Sequence, residues 1–360
     1  MRPAFCPPAL RRHPAFLMSV TVASPACRAV LPPALLLPLL AAISAGVLLL
    51  ACASGSVSLS ASQLWQALLG HGDALSGTLL QLRLERALTA WITGAALALA
   101  GLLMQSLLRN PLADPYVLGL SGSAALGALL MLALGCSFLA VQAGAFAGAL
   151  AAVAIVFLLG RHDLGRLEAA SSQDSTPRLL LTGVMLSSMA MAGVSLVLSL
   201  APSEQLRGML FWMMGDLSGT DVPAPVLLLP LALLALLLPF GRDLNLLLRG
   251  PGPAQMLGVP VRRVRALIYL SASAAAATAV TVAGSVGFVG LVVPHALRLL
   301  LGNDQRLLLP ASALSGAVFL LAADTLARTL VDPLQLPVGV ITALVGAPTF
   351  IVLLTRRGRG

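Results

Sequence analysis

Lysine is absent from this 360-residue chain; all 22 of its basic residues are Arg. That excludes a phosphate-binding loop for ATP hydrolysis, because such a loop needs a Lys after its glycines to reach the phosphates. Charge of either sign is scarce: charged residues make up 10%, where a soluble domain carries about 25%. Aromatics amount to 4%, too few for the stacking platforms of nucleic-acid binding, and the Arg residues sit in short loops rather than on one basic face. The net charge of +9 therefore points to the anionic face of a membrane, not to nucleic acid. The four Cys (Cys6, Cys27, Cys52, Cys136) and four His (His13, His71, His162, His295) are scattered. They lack the close pairs of a zinc site or disulfide framework, so no metal site is expected. Nor does any nucleophile lie near a base, or any two carboxylates pair, so no catalytic residue is expected. An integral membrane enzyme with partners on separate spans is the weakest alternative.

What is abundant is apolar sequence, at 58% of residues with a mean hydropathy of +0.97. A helix crossing the hydrocarbon core needs roughly 20 apolar residues. Ten candidates lie near 31–53, 86–108, 114–134, 137–160, 178–200, 224–241, 266–286, 287–301, 308–328 and 337–355. The expected fold class is all-α: a polytopic transmembrane helical bundle of about ten spans in a bacterial inner (cytoplasmic) membrane. Residues 1–30 read as a loose cytoplasmic extension, 31–355 as the transmembrane domain and 356–360 as a basic tail. Leu49-Leu50-Ala51-Cys52 looks like a lipoprotein processing site, but the apolar run before it is long enough to span, unlike a signal core.

Arg accumulates on the cytoplasmic side of membrane proteins. With both termini cytoplasmic, four Arg (Arg83, Arg86, Arg207, Arg328) fall outside and the other 18 of the 22 inside. An odd number of spans would split that pattern. Two outer loops, Ser60–Gly70 and Ser203–Gly215, are long enough for short interfacial helices. Gly144 and Gly148 read as positions of close helix approach. Gly284, Gly287 and Gly290 read as close packing or a helix break, since they follow no strand and lie in an apolar span.

Proton- or sodium-coupled carriers place a carboxylate within the membrane. Here Glu85, Asp114 and Asp324 all lie near span ends, and Asp324 with Arg328 has the i, i+4 spacing of a simple ion pair. An ion-coupled secondary transporter is thus the weaker of two transport readings, and any ATP motor belongs to a separate subunit.

Five ordered motifs carry a resemblance. They are Leu82-Arg83-Leu84-Glu85-Arg86; Arg109-Asn110-Pro111-Leu112-Ala113-Asp114-Pro115, with Leu118-Gly119 and Ser121-Gly122 after it; and Phe211-Trp212-Met213-Met214-Gly215. The others are the run Gly287-Phe288-Val289-Gly290-Leu291-Val292-Val293-Pro294-His295 with Arg298, and Leu336-Pro337-Val338-Gly339 with Gly346-Ala347-Pro348. Over about 31–355 the chain resembles the FecCD-type permeases, which serve importers of iron-siderophores, haem and vitamin B12. The resemblance implies a ten-helix permease, paired with a second permease chain as a homodimer, with two cytoplasmic ATPase subunits and a periplasmic substrate-binding protein. It implies no cofactor in this chain, with ATP and Mg held by the ATPase, and a metal chelate as cargo, iron-siderophore ahead of haem and cobalamin.

The resemblance also implies roles. Arg83, Arg86 and Arg328 fall where the family presents outer Arg residues to carboxylates on the binding protein, a task suited to the guanidinium fork. Asn110, Leu112, Ser175 and Thr176 fall where the translocation pathway narrows at its cytoplasmic end, with Pro177 in place of a small polar residue. Leu257, Gly258, Val259, Arg262 and Arg263 fall in the segment that couples to the ATPase, where Pro251-Gly252-Pro253 replaces an acidic residue common in relatives.

Overall fold

The computed structural model describes residues 32–55, 62, 66, 73–165, 175–218, 224–331 and 334–357. Those residues are helical almost throughout, as lipid demands: with no water to bind, backbone N–H and C=O groups must be satisfied within the segment. The elements are α1 (Pro33–Ala53), α2 (Ala74–Leu107), a 3-10 turn (Pro115–Leu118), α3 (Leu120–Ala133), α4 (Phe138–Gly165) and α5 (Ser175–Leu200). There follow α6 (Ser203–Met214), α7 (Ala224–Leu237), a 3-10 turn (Leu238–Phe240), α8 (Gly241–Leu248) and α9 (Pro251–Met256). The chain closes with α10 (Val261–Ala283), α11 (Val289–Leu301), α12 (Gln305–Thr329) and α13 (Val338–Arg357). Eight helical segments are long and apolar enough to cross a membrane, and α3 and α11 are shorter apolar helices.

Helix α2 is the central post, buried along most of its length and packed against α12, α10, α11 and α1. Helices α3, α4 and α5 form a second group, which α10 joins to the first by packing on both α2 and α4. Tyr269 of α10 fixes that joint: its hydroxyl donates to the Val153 carbonyl at 2.9 Å and its ring stacks on Phe157 of α4. Small residues set the spacing, because without a hydrophobic force between helices in lipid, close van der Waals contact supplies the attraction. A Cβ on Gly101 of α2 would overlap the Gly290 carbonyl of α11. Gly144 and Gly148 of α4 likewise rest on the Gly127 and Ser123 carbonyls of α3.

The glycine run after α10 both breaks and packs. Gly284 ends α10 with φ at +68°, Phe288 opens α11 in the left-handed region, and Gly290 lies against Leu97 and Pro115. Pro294 within α11 has no N–H for the Gly290 carbonyl. Gln105 of α2, fully buried, fills the gap: its Nε2 donates to the Leu291 and Gly290 carbonyls at 3.1 and 3.4 Å.

One expectation changes. Helix α2 begins at Ala74, twelve residues before the apolar stretch near 86–108, so Arg83 and Glu85, which lie ahead of that stretch, are helical, and Arg86 is well inside the helix rather than at its start. The apolar length of a span bounds its hydrocarbon part, not the helix. The segment Ser203–Met214 is the interfacial-type helix anticipated for the second long loop. Of the first, Ser62 and Gln66 are helical and the rest lies outside the described residues, as do residues 1–31.

Candidate functional site

Polar side chains gather at the two ends of the bundle. At one end, where α1 finishes and α2 starts, Arg83 and Arg86 share a face of α2 opposite Asp324 and Arg328 of α12. Asp324 is fully buried. It pairs with Arg86 Nη2 at 2.9 Å and, one helical turn along, with Arg328 Nε at 3.1 Å. Arg86 Nε also donates to Asp324, and its Nη1 reaches Gln335 at 2.8 Å.

Arg83 and Arg328 turn toward the end of α1. Arg83 Nη1 donates to the Cys52 and Ala53 carbonyls at 3.2 Å, and Arg328 Nη2 to the Ala51 carbonyl at 3.3 Å. The last carbonyls of a helix have no intrahelical donor and carry the negative end of its dipole. Two guanidiniums therefore cap α1. The consequence is a division within the predicted trio: Arg83 and Arg328 are 7% and 8% exposed and turned to α1, whereas Arg86, with 12% of its side chain exposed, extends toward exposed Gln335 at the rim. The Asp324–Arg328 pair follows from sequence spacing; the Arg86–Asp324 pair, 238 residues apart, has no local signal.

At the opposite end, α2 gives way to a turn through Arg109, whose φ is +48°. Asn110 builds that turn. Its N–H donates to the Gln105 carbonyl at 3.1 Å and its Oδ1 accepts from Leu112 N at 2.9 Å. Leu112 is 46% exposed. Ser175 and Thr176 are the first residues of α5, with their side chains outside the description. Pro177 falls in that first turn, where its missing N–H costs nothing.

The Arg109 guanidinium lies beside Gly250, which places the α8–α9 segment at this same end. Pro251 at the first position of α9 supplies a preset φ, so Pro251-Gly252-Pro253 starts a helix. Helix α9 closes with Gly258 N donating to the Gln255 carbonyl and Val259 N to the Ala254 carbonyl, with Gly258 at φ +83°. A left-handed Gly after the last turn is how helices commonly stop. Val259 is buried as the anchor, while Leu257, Gly258, Arg262 and Arg263 are exposed. The prominent residue here is one that the sequence motifs did not single out: Met256, 91% exposed, beside Leu257 at 62%. Among the described residues no group of three His, Cys, Asp or Glu is placed to hold a metal.

Known proteins give this geometry its context. The FecCD transport family model matches residues 40–356. The chain is 42% identical over 313 residues to the hemin transport system permease protein of Yersinia pestis, covering 84% of this chain and 90% of that protein. It is 39% identical to the vitamin B12 import system permease protein of Klebsiella pneumoniae, over 88% of this chain and 94% of that one. To the Fe(3+) dicitrate transport system permease protein FecD of Escherichia coli it is 40% identical, covering 81% and 88%. Among solved structures it superposes on a metal-chelate type ABC transporter in an inward-facing conformation, with a TM-score of 0.77, 31% identity, and coverage of 90% of this chain and all of that one. The chain is a multi-pass membrane permease that belongs to the FecCD transport family.

Proposed function

We propose that this permease is the membrane-spanning subunit of a binding-protein-dependent ABC importer for a metal chelate, iron-siderophore first, with haem and cobalamin as the other cargoes. The observation that carries the reading is the match of residues 40–356 to one permease family whose similar members are named for hemin, vitamin B12 and ferric dicitrate transport. Two copies in the bacterial inner membrane, both termini cytoplasmic, enclose the pathway. Two ATPase subunits bind on the cytoplasmic side and the binding protein delivers cargo from the periplasm. No bond of the cargo is made or broken; ATP binding and hydrolysis shift the populations of outward- and inward-open states through differential affinity.

Within this reading the Arg86 cluster faces the periplasm and receives carboxylates of the binding protein. It holds three guanidiniums and one carboxylate, Asp324, which pairs with Arg86 and Arg328 while Arg83 bonds α1 carbonyls, so the cluster carries surplus positive charge, which favours an acidic partner. Met256 and Leu257 form an apolar knob for a groove on the ATPase, flanked by Arg262 and Arg263. Asn110 and Leu112, with Ser175 and Thr176, narrow the cytoplasmic end of the pathway. The test is uptake into proteoliposomes: transport requires the ATPase subunit and internal ATP, and the chelate is recovered unchanged. Uptake driven by a proton gradient with no ATPase present would refute the importer reading, and a modified product would favour an enzyme.

A further inference from the structure

Asn245 of α8 is inserted into the first turn of α12. Its Nδ2 donates to Asp304 Oδ1 at 2.8 Å, and its Oδ1 accepts from Gln305 N at 2.8 Å. Asp304 is the N-cap of α12, and the same Oδ1 accepts from Arg306 N at 3.1 Å. Two of the four amide donors that a helix start leaves without partners are thus satisfied, one of them by a side chain from a different helix. Helix α8 is held on its apolar side as well, through buried Leu244 and Leu247, and leads directly to α9 and the exposed Met256–Leu257 knob.

From that cap, α12 runs 25 residues, about 37 Å at the helical rise per residue, to Asp324 and Arg328 at the other end of the bundle. One helix therefore carries the α8 joint at its start and the Arg86–Asp324–Arg328 cluster at its finish. Its middle is bedded on α2, where Gly316 and Gly94 meet backbone to backbone with no room for a Cβ on either, and α2 itself supplies Arg86. Close-packed backbones transmit displacement, because no flexible side chain lies between them to absorb it. Pro310 offers no N–H to the Arg306 carbonyl, yet the helix continues without a break from Gln305 to Thr329.

We infer that Asn245 is a positioning residue that couples the Met256–Leu257 knob to the Arg86 cluster through α12, so that an ATPase subunit bound at one end and an acidic binding protein at the other alter each other's affinity. The inference rests on the importer reading above. The coupling is reciprocal by thermodynamic necessity.

The test uses the complete importer, permease with its ATPase subunits in proteoliposomes, and reads the ratio of the binding protein's Kd for permease without the ATPase subunits to its Kd for the complete importer. Asn245→Asp removes the donor to Asp304 and sets two carboxylates against each other. It is expected to lower the ratio about fivefold or more, the lower range of allosteric couplings, with basal ATP turnover and permease-to-ATPase stoichiometry unchanged. The exchange variant Asn245→Asp with Asp304→Asn again faces one amide with one carboxylate. The bond between 245 and 304 re-forms with donor and acceptor exchanged and Gln305 N keeps its acceptor, while the bond from Arg306 N is given up because the same atom of residue 304 made both contacts. This variant is expected to recover most of the ratio. Should Asn245→Asp fail to assemble, Asn245→Ala carries the same expectation without an added charge. A wild-type ratio in an assembled single variant overturns the inference, as does a failure to recover in an exchange variant as heat-stable as the wild type. Failure of the importer reading would appear elsewhere, in unmutated protein that neither binds the ATPase subunits nor responds to the binding protein, and the inference would fall with it.

Discussion

Replacing Asp324 with Asn tests how far one buried carboxylate organises the end of the bundle where α1, α2 and α12 meet. The substitution keeps shape and an acceptor oxygen while removing the charge. Asp324 is fully buried between Arg86 and Arg328, whose side chains are 12% and 7% exposed. Each attraction amounts to roughly 4 kcal/mol at an effective dielectric of about 20, much of it offset by desolvation. What Asp324→Asn leaves behind is two guanidiniums in one pocket without a counter-charge. Breaking a buried pair this way costs about 3–5 kcal/mol, and because the Asn oxygen still accepts a bond, the expected loss is about 3 kcal/mol near the low end of that range. Unfolding by SDS titration in mixed micelles measures it. Removing a stranded cation as well, with Arg328→Met in the Asp324→Asn background, should cost less than the sum of the two single changes, since partners in one network are not additive. A single-variant loss below about 1 kcal/mol, the level of an exposed pair, or simple additivity of the two changes, would refute the reasoning.

Neutralising Arg86 with Arg86→Gln, which avoids facing buried Asp324 with a second carboxylate and leaves Arg328 as its counter-charge, should weaken association with the loaded binding protein in permease that still assembles, and wild-type association should weaken as salt is raised; unchanged binding at all ionic strengths would exclude a docking role for Arg86. Gly101→Ala should lower stability by about 2 kcal/mol or more, because the new Cβ overlaps the Gly290 carbonyl and overpacking is destabilising; the same SDS titration reads it, and a neutral result would mean that α2 and α11 separate freely. In a Cys-free variant, Cys placed at Gly165 or Gln255 should react only with reagent on the cytoplasmic side and Cys at Gly72 only from outside; labelling of 72 and 255 from one side would break the ten-span topology.

The span pattern was legible because lipid imposes one rule at every position: a long apolar segment has to satisfy its own backbone, and helices do so. Ten apolar stretches accordingly correspond to eight long helices and the short α3 and α11. The helix break near Gly284 was visible as well, since a glycine at positive φ leaves a mark in the sequence. Helix starts were less legible. Helix α2 extends well before its apolar stretch, because Arg83 and Arg86 spend their charge on α1 carbonyls and Asp324 rather than ending the helix.

By itself the sequence determined the all-helical class, the absence of an ATP-hydrolysing loop in this chain, the Asp324–Arg328 spacing and the five motifs that lead to the family. All are local or compositional properties, readable residue by residue. Only the tertiary structure decided that Arg86 closes on Asp324, that Arg83 and Arg328 cap α1 while Arg86 reaches toward the rim, that Gln105 donates to the Gly290 carbonyl freed by Pro294 and to that of Leu291, and that Asn245 locks α8 to α12. Each of those contacts joins residues from helices distant in sequence. Their partners are chosen by how close small residues such as Gly94, Gly101, Gly290 and Gly316 allow the backbones to come, and that distance is a property of packed pairs of helices, written in no single stretch of chain.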